Sequence, residues 1–156
     1  MTTIDRFTRE SGYEFLSNFH PSTIRFEEEL YPTVEHAYQA SKSIDPKVRE
    51  IIRKAPGPNE AKKLGQGVEL RKDWSEVRLE IMQRLIKEKF SNPFLAHRLI
   101  ATGDAELILG NKWNDKFWGV CRGAGENWLG KILMAVREEL RHEIARDADI
   151  QFAKVD

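Results

Sequence analysis

The chain has 156 residues, 40% of them hydrophobic and 32% charged, which is enough apolar material to close one globular core and too much for a disordered tail. Lysine and arginine together number 25, as do aspartate and glutamate, so no net field draws the chain to DNA or to an anionic membrane, and charge neither excludes nor implies nucleic acid. No apolar run approaches the roughly 20 residues needed to cross a bilayer, the N-terminal MTTIDRFTRE is charged where a signal peptide needs an apolar stretch, and the lone Cys121 rules out an intrachain disulfide or a cysteine zinc cage.

A cytoplasmic protein with no membrane partner is therefore expected, and its chemistry must come from carboxylates, lysines, histidines and aromatics. No repeat, low-complexity tract or linker is visible. A single domain over residues 1–156 follows, with a core of about 12–146 and a C-terminal tail at 147–156.

Up to Tyr31 the sequence is aromatic and irregular, except that Thr23-Ile24-Arg25-Phe26 alternates and is set to pair with Glu29-Leu30-Tyr31 across Glu27-Glu28. From Pro32 onward the punctuation is that of helices. Thr33 is an N-cap for Val34 to Ser43, Asp45-Pro46 and Gly57-Pro58 open two more, and the third ends at Gly65. Asp73-Trp74-Ser75-Glu76 has capping-box spacing, and Val77, Ile81, Met82 and Leu85 recur on one face as far as Phe90. Asn92-Pro93 starts another helix, Leu107-Ile108-Leu109 reads as a short strand, and Asn111 to Gly125 is rich in tryptophan and glycine. Leu129, Ile132, Leu133, Val136 and Leu140 mark the last helix, with Arg141, His142 and Arg146 at its C-terminal end. The fold class is α+β, predominantly helical, with a small N-terminal β-hairpin.

Two constellations could carry chemistry. Glu35, Tyr38, Gln39 and Lys42 fall at i, i+3, i+4 and i+7 and share one helical face, which reads either as a solvated face or as a row of functional groups. His36 lies off that face, in a position that suits a core histidine. Trp113-Asn114-Asp115-Lys116-Phe117-Trp118-Gly119 gathers three large aromatics around one acid without helix or strand periodicity. Either the loop fills a core and Asp115 caps a turn, or the rings hold a flat ligand and Asp115 its hydroxyls. Gly123-Ala124-Gly125 then leads through Asn127 into the last helix, a weak phosphate signal with no Walker or dinucleotide pattern behind it. The histidines are dispersed and no paired-histidine motif appears, so no metal and no cofactor are expected.

Taken together, Phe15-Leu16-Ser17-Asn18-Phe19, the string from Tyr31 to Lys42, Ala61-Lys62-Lys63-Leu64-Gly65, Asp73-Trp74 with Arg78 and Met82, Lys89-Phe90, Trp113 to Gly119, and Gly125 to Gly130 with Leu133-Met134 and Arg137 resemble the NADAR domain family and its YbiA-like N-glycosidases. The blocks stand in the family's order over nearly the whole chain. The chain departs from the pattern after Asn18, in Asn114 where the family has histidine, and at Leu109. The resemblance implies a hydrolase of N-glycosidic bonds to a phosphorylated ribose. Its substrate is ADP-ribose on guanine, free or on DNA or RNA, or else a ribosylaminopyrimidine phosphate of riboflavin synthesis. A non-catalytic ADP-ribose or nucleotide reader is the rival from another class.

On that basis Glu35 is expected as acid or base at the ribose C1, Asp115 on the ribose hydroxyls and Trp74 as a stacking partner. Lys42 is expected as a phosphate clamp or a Schiff-base nucleophile. Substrate contacts are expected from Asn18, Phe19, His36, Tyr38, Gln39, Trp118 and Gly119, with phosphate at Gly125 and Asn127. The helix face and the aromatic loop are expected to meet in one pocket. The oligomeric state is left open.

Overall fold

In the computed structural model, which describes residues 2–155 and the side chains of residues 2–151, the helices start where the punctuation places them. The order is β1 (Thr3–Ile4), a 3-10 turn (Glu14–Leu16), β2 (Ile24–Phe26), β3 (Glu29–Tyr31), α1 (Val34–Ser41), α2 (Pro46–Arg53), α3 (Pro58–Gln66), α4 (Trp74–Lys89), α5 (Pro93–Ala101), β4 (Glu106–Leu107), β5 (Gly110–Asn111), β6 (Val120–Cys121) and α6 (Trp128–Val155). The Thr33 hydroxyl accepts from His36 N, the Asp45 carboxylate from Lys47 N, and Asn92 Oδ1 from Phe94 N and Leu95 N. Each cap satisfies helix-end donors that no earlier carbonyl can reach, and α2, α3 and α5 add a proline where the missing N–H costs nothing.

Two compact units result, Phe7–Lys89 and Met1–Arg6 with Phe90–Asp156. In the first, β2 and β3 pair antiparallel with Ile24 opposite Tyr31 and Phe26 opposite Glu29. Glu27 and Glu28 turn the chain at φ 47° and 70°, the left-handed pair that a two-residue hairpin requires, here without the usual glycine. Arg49 reaches back to Glu27 at 3.2 Å. Helix α1 is buried along its whole length and packs against α2, α3, α4 and the hairpin. Helix α4 contributes Ile81, Met82, Leu85 and Ile86 to the core, each such side chain contributing roughly 1.5–3 kcal/mol by leaving water.

In the second unit β1 lies parallel to β4, pairing Ile4 with Leu107, a contact that two residues are too short to announce by alternation. Strands β5 and β6 also run parallel. Helix α6 packs on β4 and α5, burying Leu129, Leu133 and Val136. It continues to Val155 where a tail was expected from residue 147, because no glycine or proline interrupts residues 144–155 and alanine recurs there.

Candidate active site

Burial decides between the two readings of the first helix face. Glu35 is 8% exposed and Gln39 4%, so the row of functional groups on α1 is not a solvated face. A buried carboxylate needs donors. The Gln39 side-chain amide supplies one, Nε2 donating to Glu35 Oε1 at 2.7 Å. Gln39 is in turn held by Gly65 of α3, since a Cβ on Gly65 would overlap the Gln39 amide. The lost side chain lets α3 close on α1 and fixes the amide that orients Glu35.

Tyr38 and Trp74 meet beside this pair, ring centroids 5.3 Å apart and tilted by 51°. Trp74 is placed by the first turn of α4, where the Asp73 carbonyl accepts from Glu76 N and Val77 N. The Asp73 carboxylate is bound to Arg71 at 2.6 Å, in place of the capping role its spacing suggested. Lys42 follows α1 directly, its ammonium 5.8 Å from the centre of the Tyr38 ring. Burial lowers the Lys42 pKa, Glu35 works against that shift and Lys62 adds to it. Lys42 therefore gives up its proton more readily than a solvated lysine.

The segment preceding the hairpin closes on the start of α1. The Asn18 carbonyl accepts from Glu35 N at 3.1 Å, while Asn18 Nδ2 points to Met82 Sδ at 3.7 Å. Phe19, half-buried, has its backbone N–H held by Ser17 Oγ at 3.1 Å. Lys89, the last residue of α4 and only 1% exposed, donates from Nζ to the Ser17 carbonyl at 2.8 Å. Burial pushes its pKa down to about 7. No role was read for Lys89 from sequence, although its place three and four residues beyond Ile86 and Leu85 sets a lysine on an apolar face.

His36 takes a structural place. Its Nε2 donates to the Ala55 carbonyl at 3.0 Å, because a carbonyl only accepts, which leaves Nδ1 to accept from the Thr33 hydroxyl at 2.8 Å. Both ring nitrogens are engaged and the residue is 1% exposed, so the expected substrate contact is replaced by a tie between α1 and the end of α2.

The aromatic loop lies in the other unit. Asn111 clasps the Asp115 backbone, its Oδ1 accepting from Asp115 N and its Nδ2 donating to Asp115 O, both at 2.9 Å. Asp115 Oδ1 accepts from Phe117 N at 3.2 Å and Trp118 N at 2.9 Å. Both bonds fall on one oxygen, so Asp115 caps a turn and keeps its second oxygen without a protein donor among the described residues. Phe117 and Trp118 pack edge to face, Trp118 and Trp128 are half-buried, and Trp113 is 60% exposed.

The start of α6 is tied to the preceding loop. Glu126 N, Trp128 N and Leu129 N donate to the carbonyls of Lys116, Phe117 and Trp118, and Asn127 N to that of Gly119, so the donors that a helix start offers an anion are taken. The Asn127 side chain bridges Leu107 O at 2.9 Å and Leu109 N at 3.0 Å. Gly119 and Gly125 are required by space instead: a Cβ on Gly119 would strike Leu109 O, and one on Gly125, at φ +151°, would strike Gly119 O. Gly119, Gly125 and Asn127 therefore build the loop.

Glu35, Tyr38, Gln39, Lys42 and Trp74 are thus brought together within Phe7–Lys89, with Asn18 and Phe19 at the start of the same helix. Asp115 and Trp118 belong to the other unit. Among the described residues no three of His, Cys, Asp or Glu gather as metal ligands, and no helix is long and apolar enough to cross a membrane.

Residues 6–141 match the NADAR domain. The chain belongs to the NADAR domain family. An N-glycosidase of Nostoc punctiforme is 40% identical over 137 residues, 83% of this chain and 87% of that one. The N-glycosidase YbiA of Escherichia coli is 36% identical over 91% of both chains, and the NMR structure of E. coli YbiA superposes with a TM-score of 0.82 at 35% identity, covering 92% of this chain and 88% of the other. A riboflavin biosynthesis protein of Vibrio vulnificus is 40% identical over 136 residues, but the chain spans only 37% of its length. With near-full-length relatives of that class, this NADAR chain is an N-glycosidase with the α+β fold of YbiA.

Proposed function

We propose that the chain hydrolyses the bond between C1 of a phosphorylated ribose and a base nitrogen, with guanine-linked ADP-ribose as the favoured substrate. The observation that carries the reaction is the buried Glu35 carboxylate with Oε1 fixed by the Gln39 amide. Departure of a base from ribose develops positive charge on the sugar, and a desolvated carboxylate held in one orientation stabilises that charge more than a solvated one. Glu35 also accepts or returns the proton that water loses when it attacks C1. Lys42, beside Tyr38, supplies a cation for the substrate's phosphate or, deprotonated, an amine for the opened ribose. Trp74 and Tyr38 form the apolar wall. A module that only binds a phosphorylated ligand gains nothing from a buried anion.

The larger substrate is supported by the 60% exposure of Trp113, because a ligand with a second ring system has more surface to stack than a single pyrimidine. Binding energy from such remote rings can be converted into rate at the ribose. A second reading, cleavage of a ribosylaminopyrimidine phosphate, is favoured by the riboflavin biosynthesis names of relatives from Vibrio vulnificus and maize. Comparing kcat/KM for an oligonucleotide bearing ADP-ribosylated guanine with that for the ribosylaminopyrimidine phosphate tests the order. A higher value for the oligonucleotide is expected, and a clear preference for the pyrimidine reverses the assignment.

A further inference from the structure

The last turn of α4 carries a lysine where the helix pattern calls for an apolar side chain. Lys89 follows Met82, Leu85 and Ile86 on the buried face of α4 and is itself buried. A lysine at a helix C-terminus gains from the helix dipole with its head group still in water, so the dipole does not account for an ammonium stripped of hydration. What burial adds is reach across the core. Nζ donates to the Ser17 carbonyl at 2.8 Å, and Met82 Sδ, on the same face, receives Asn18 Nδ2 at 3.7 Å. Of these two ties to α4 the lysine bond is the stronger, since a thioether sulfur accepts weakly. His20 N also donates to the Ser17 carbonyl, at 3.1 Å, but that bond is internal to the turn.

The Ser17 carbonyl and the Asn18 N–H belong to one peptide plane, and the Asn18 carbonyl and the Phe19 N–H to the next. Lys89 holds the first plane by its oxygen. The second is held at both ends, Ser17 Oγ accepting from Phe19 N and the Asn18 carbonyl from Glu35 N, each at 3.1 Å. Glu35 N lies in the first turn of α1, where no earlier helix carbonyl reaches. Thr33 serves the next two amides, its hydroxyl accepting from His36 N and its carbonyl from Ala37 N. Glu35 is therefore held at its amide by Asn18 and at its carboxylate by Gln39. We propose that Lys89 is a positioning residue for the N-glycosidase reaction: by setting the Ser17–Asn18 peptide it fixes the start of α1 and with it the aim of the Glu35 carboxylate. The catalytic part of this inference rests on Glu35 as the reacting carboxylate, whereas the linkage from Lys89 through Asn18 to the Glu35 amide does not.

The test uses the full chain with Lys89→Met, which removes the donor, Lys89→Arg, which moves it, Glu35→Gln, and Glu35→Gln combined with each Lys89 change. Each is assayed below its unfolding midpoint with the ADP-ribosylated guanine oligonucleotide and with the ribosylaminopyrimidine phosphate. Lys89→Met should lower kcat by about 10-fold to 100-fold, the cost of a displaced reacting group, and leave KM within about twofold. Lys89→Arg should lower kcat less, and it carries the same comparison if Lys89→Met does not fold. In the Glu35→Gln background either Lys89 change should cost less than about twofold more, because the group it aims is gone. Amide hydrogen exchange reads the linkage without turnover: the Glu35 N–H should exchange at least about tenfold faster in the Lys89 variants relative to the Tyr38 N–H of the same helix, whereas a general loss of stability would speed both alike. A kcat loss that adds in full to that of Glu35→Gln, a raised KM with parental kcat, or an unchanged Glu35 amide overturns the inference. Parental kcat in the Lys89 variants beside a lost kcat in Glu35→Gln overturns this inference alone, and parental activity in Glu35→Gln overturns the reading of Glu35 and this inference with it.

Discussion

Gln39 and Glu35 stand one turn apart on α1, the amide of one donating to Oε1 of the other at 2.7 Å, with both side chains out of solvent. The pair makes a charge requirement separable from a shape requirement. Glu35→Gln keeps size and keeps an oxygen for the Gln39 amide, but removes the charge. It should retain the fold and ligand affinity and lower kcat by about 100-fold to 10,000-fold, the range of a lost acid or base. Steady-state kinetics together with thermal unfolding check this. Parental activity in a well-folded E35Q protein would place Glu35 outside the chemistry.

The support behind that pair is steric. Because a Cβ on Gly65 would overlap the Gln39 amide, Gly65→Ala should destabilise the protein by about 1–3 kcal/mol through overpacking. It should also reduce kcat by displacing the group that orients Glu35. Adding Gln39→Ala makes room for the new methyl group, so the double variant should recover stability and not activity. Urea unfolding of the two single variants and the double variant reads the coupling.

Lys89 ties stability to pH. Its pKa is about 7 in the fold against 10.5 ordinarily, so between those values the unfolded chain holds a proton that the folded chain has released. Stability therefore rises with pH across that window and is lost as pH falls through 7, by about 2 kcal/mol between pH 9 and pH 7 from this group. Lys89→Met should flatten this part of the profile whatever its effect on absolute stability. Urea midpoints at half-unit pH intervals measure it, and an equal slope in parent and variant would assign the dependence to other groups.

What was legible in the sequence follows from how local the cause is. Thr33, Asp45 and Asn92 cap helices with their own side chains, and Glu27-Glu28 turn a hairpin whose strands adjoin them, so these elements show in a window of ten residues. Asp115 as the cap of its loop was legible for the same reason. The pairing of Thr3–Ile4 with Glu106–Leu107 was not, since a hundred residues separate two strands too short to carry a pattern. Within the candidate site, the helix face was visible as a spacing. Its burial, which turns Glu35 and Gln39 from surface groups into an oriented pair, depends on α2, α3 and α4 closing around α1. The taken donors at Glu126, Asn127, Trp128 and Leu129 were hidden likewise, because their acceptors fold back from the preceding loop.

Lys42 has two possible duties, and one pair of variants separates them. Burial lowers its pKa below that of an ordinary lysine, which favours the nucleophile. In that case borohydride added during turnover should trap a ribosyl adduct on Lys42, and both Lys42→Arg and Lys42→Met should lose the adduct and most of kcat. Were Lys42 only a phosphate clamp, Lys42→Arg would restore activity while Lys42→Met raised KM. Peptide mass mapping after reduction locates the adduct, and its absence under active turnover would assign the chemistry to water activated by Glu35.

Trp113 offers the sharpest test of substrate size. At 60% exposure it contributes little to any core, so Trp113→Ala should leave thermal stability within about 0.5 kcal/mol of the parent. Stacking of a base on an exposed aromatic is worth about 1–3 kcal/mol. If a second ring system of the substrate uses this surface, the variant should lose roughly tenfold in kcat/KM toward guanine-linked ADP-ribose, a loss of that order in stacking energy. The same change should leave a ribosylaminopyrimidine phosphate untouched, because its single ring has no part left to stack. Where the loss appears divides the readings further: an effect on KM alone marks uniform binding, while a fall in kcat shows that remote stacking is drawn on in the transition state. Equal losses on both substrates would mean that Trp113 acts on the loop around Asp115, and the aromatic argument for the larger substrate would then fail.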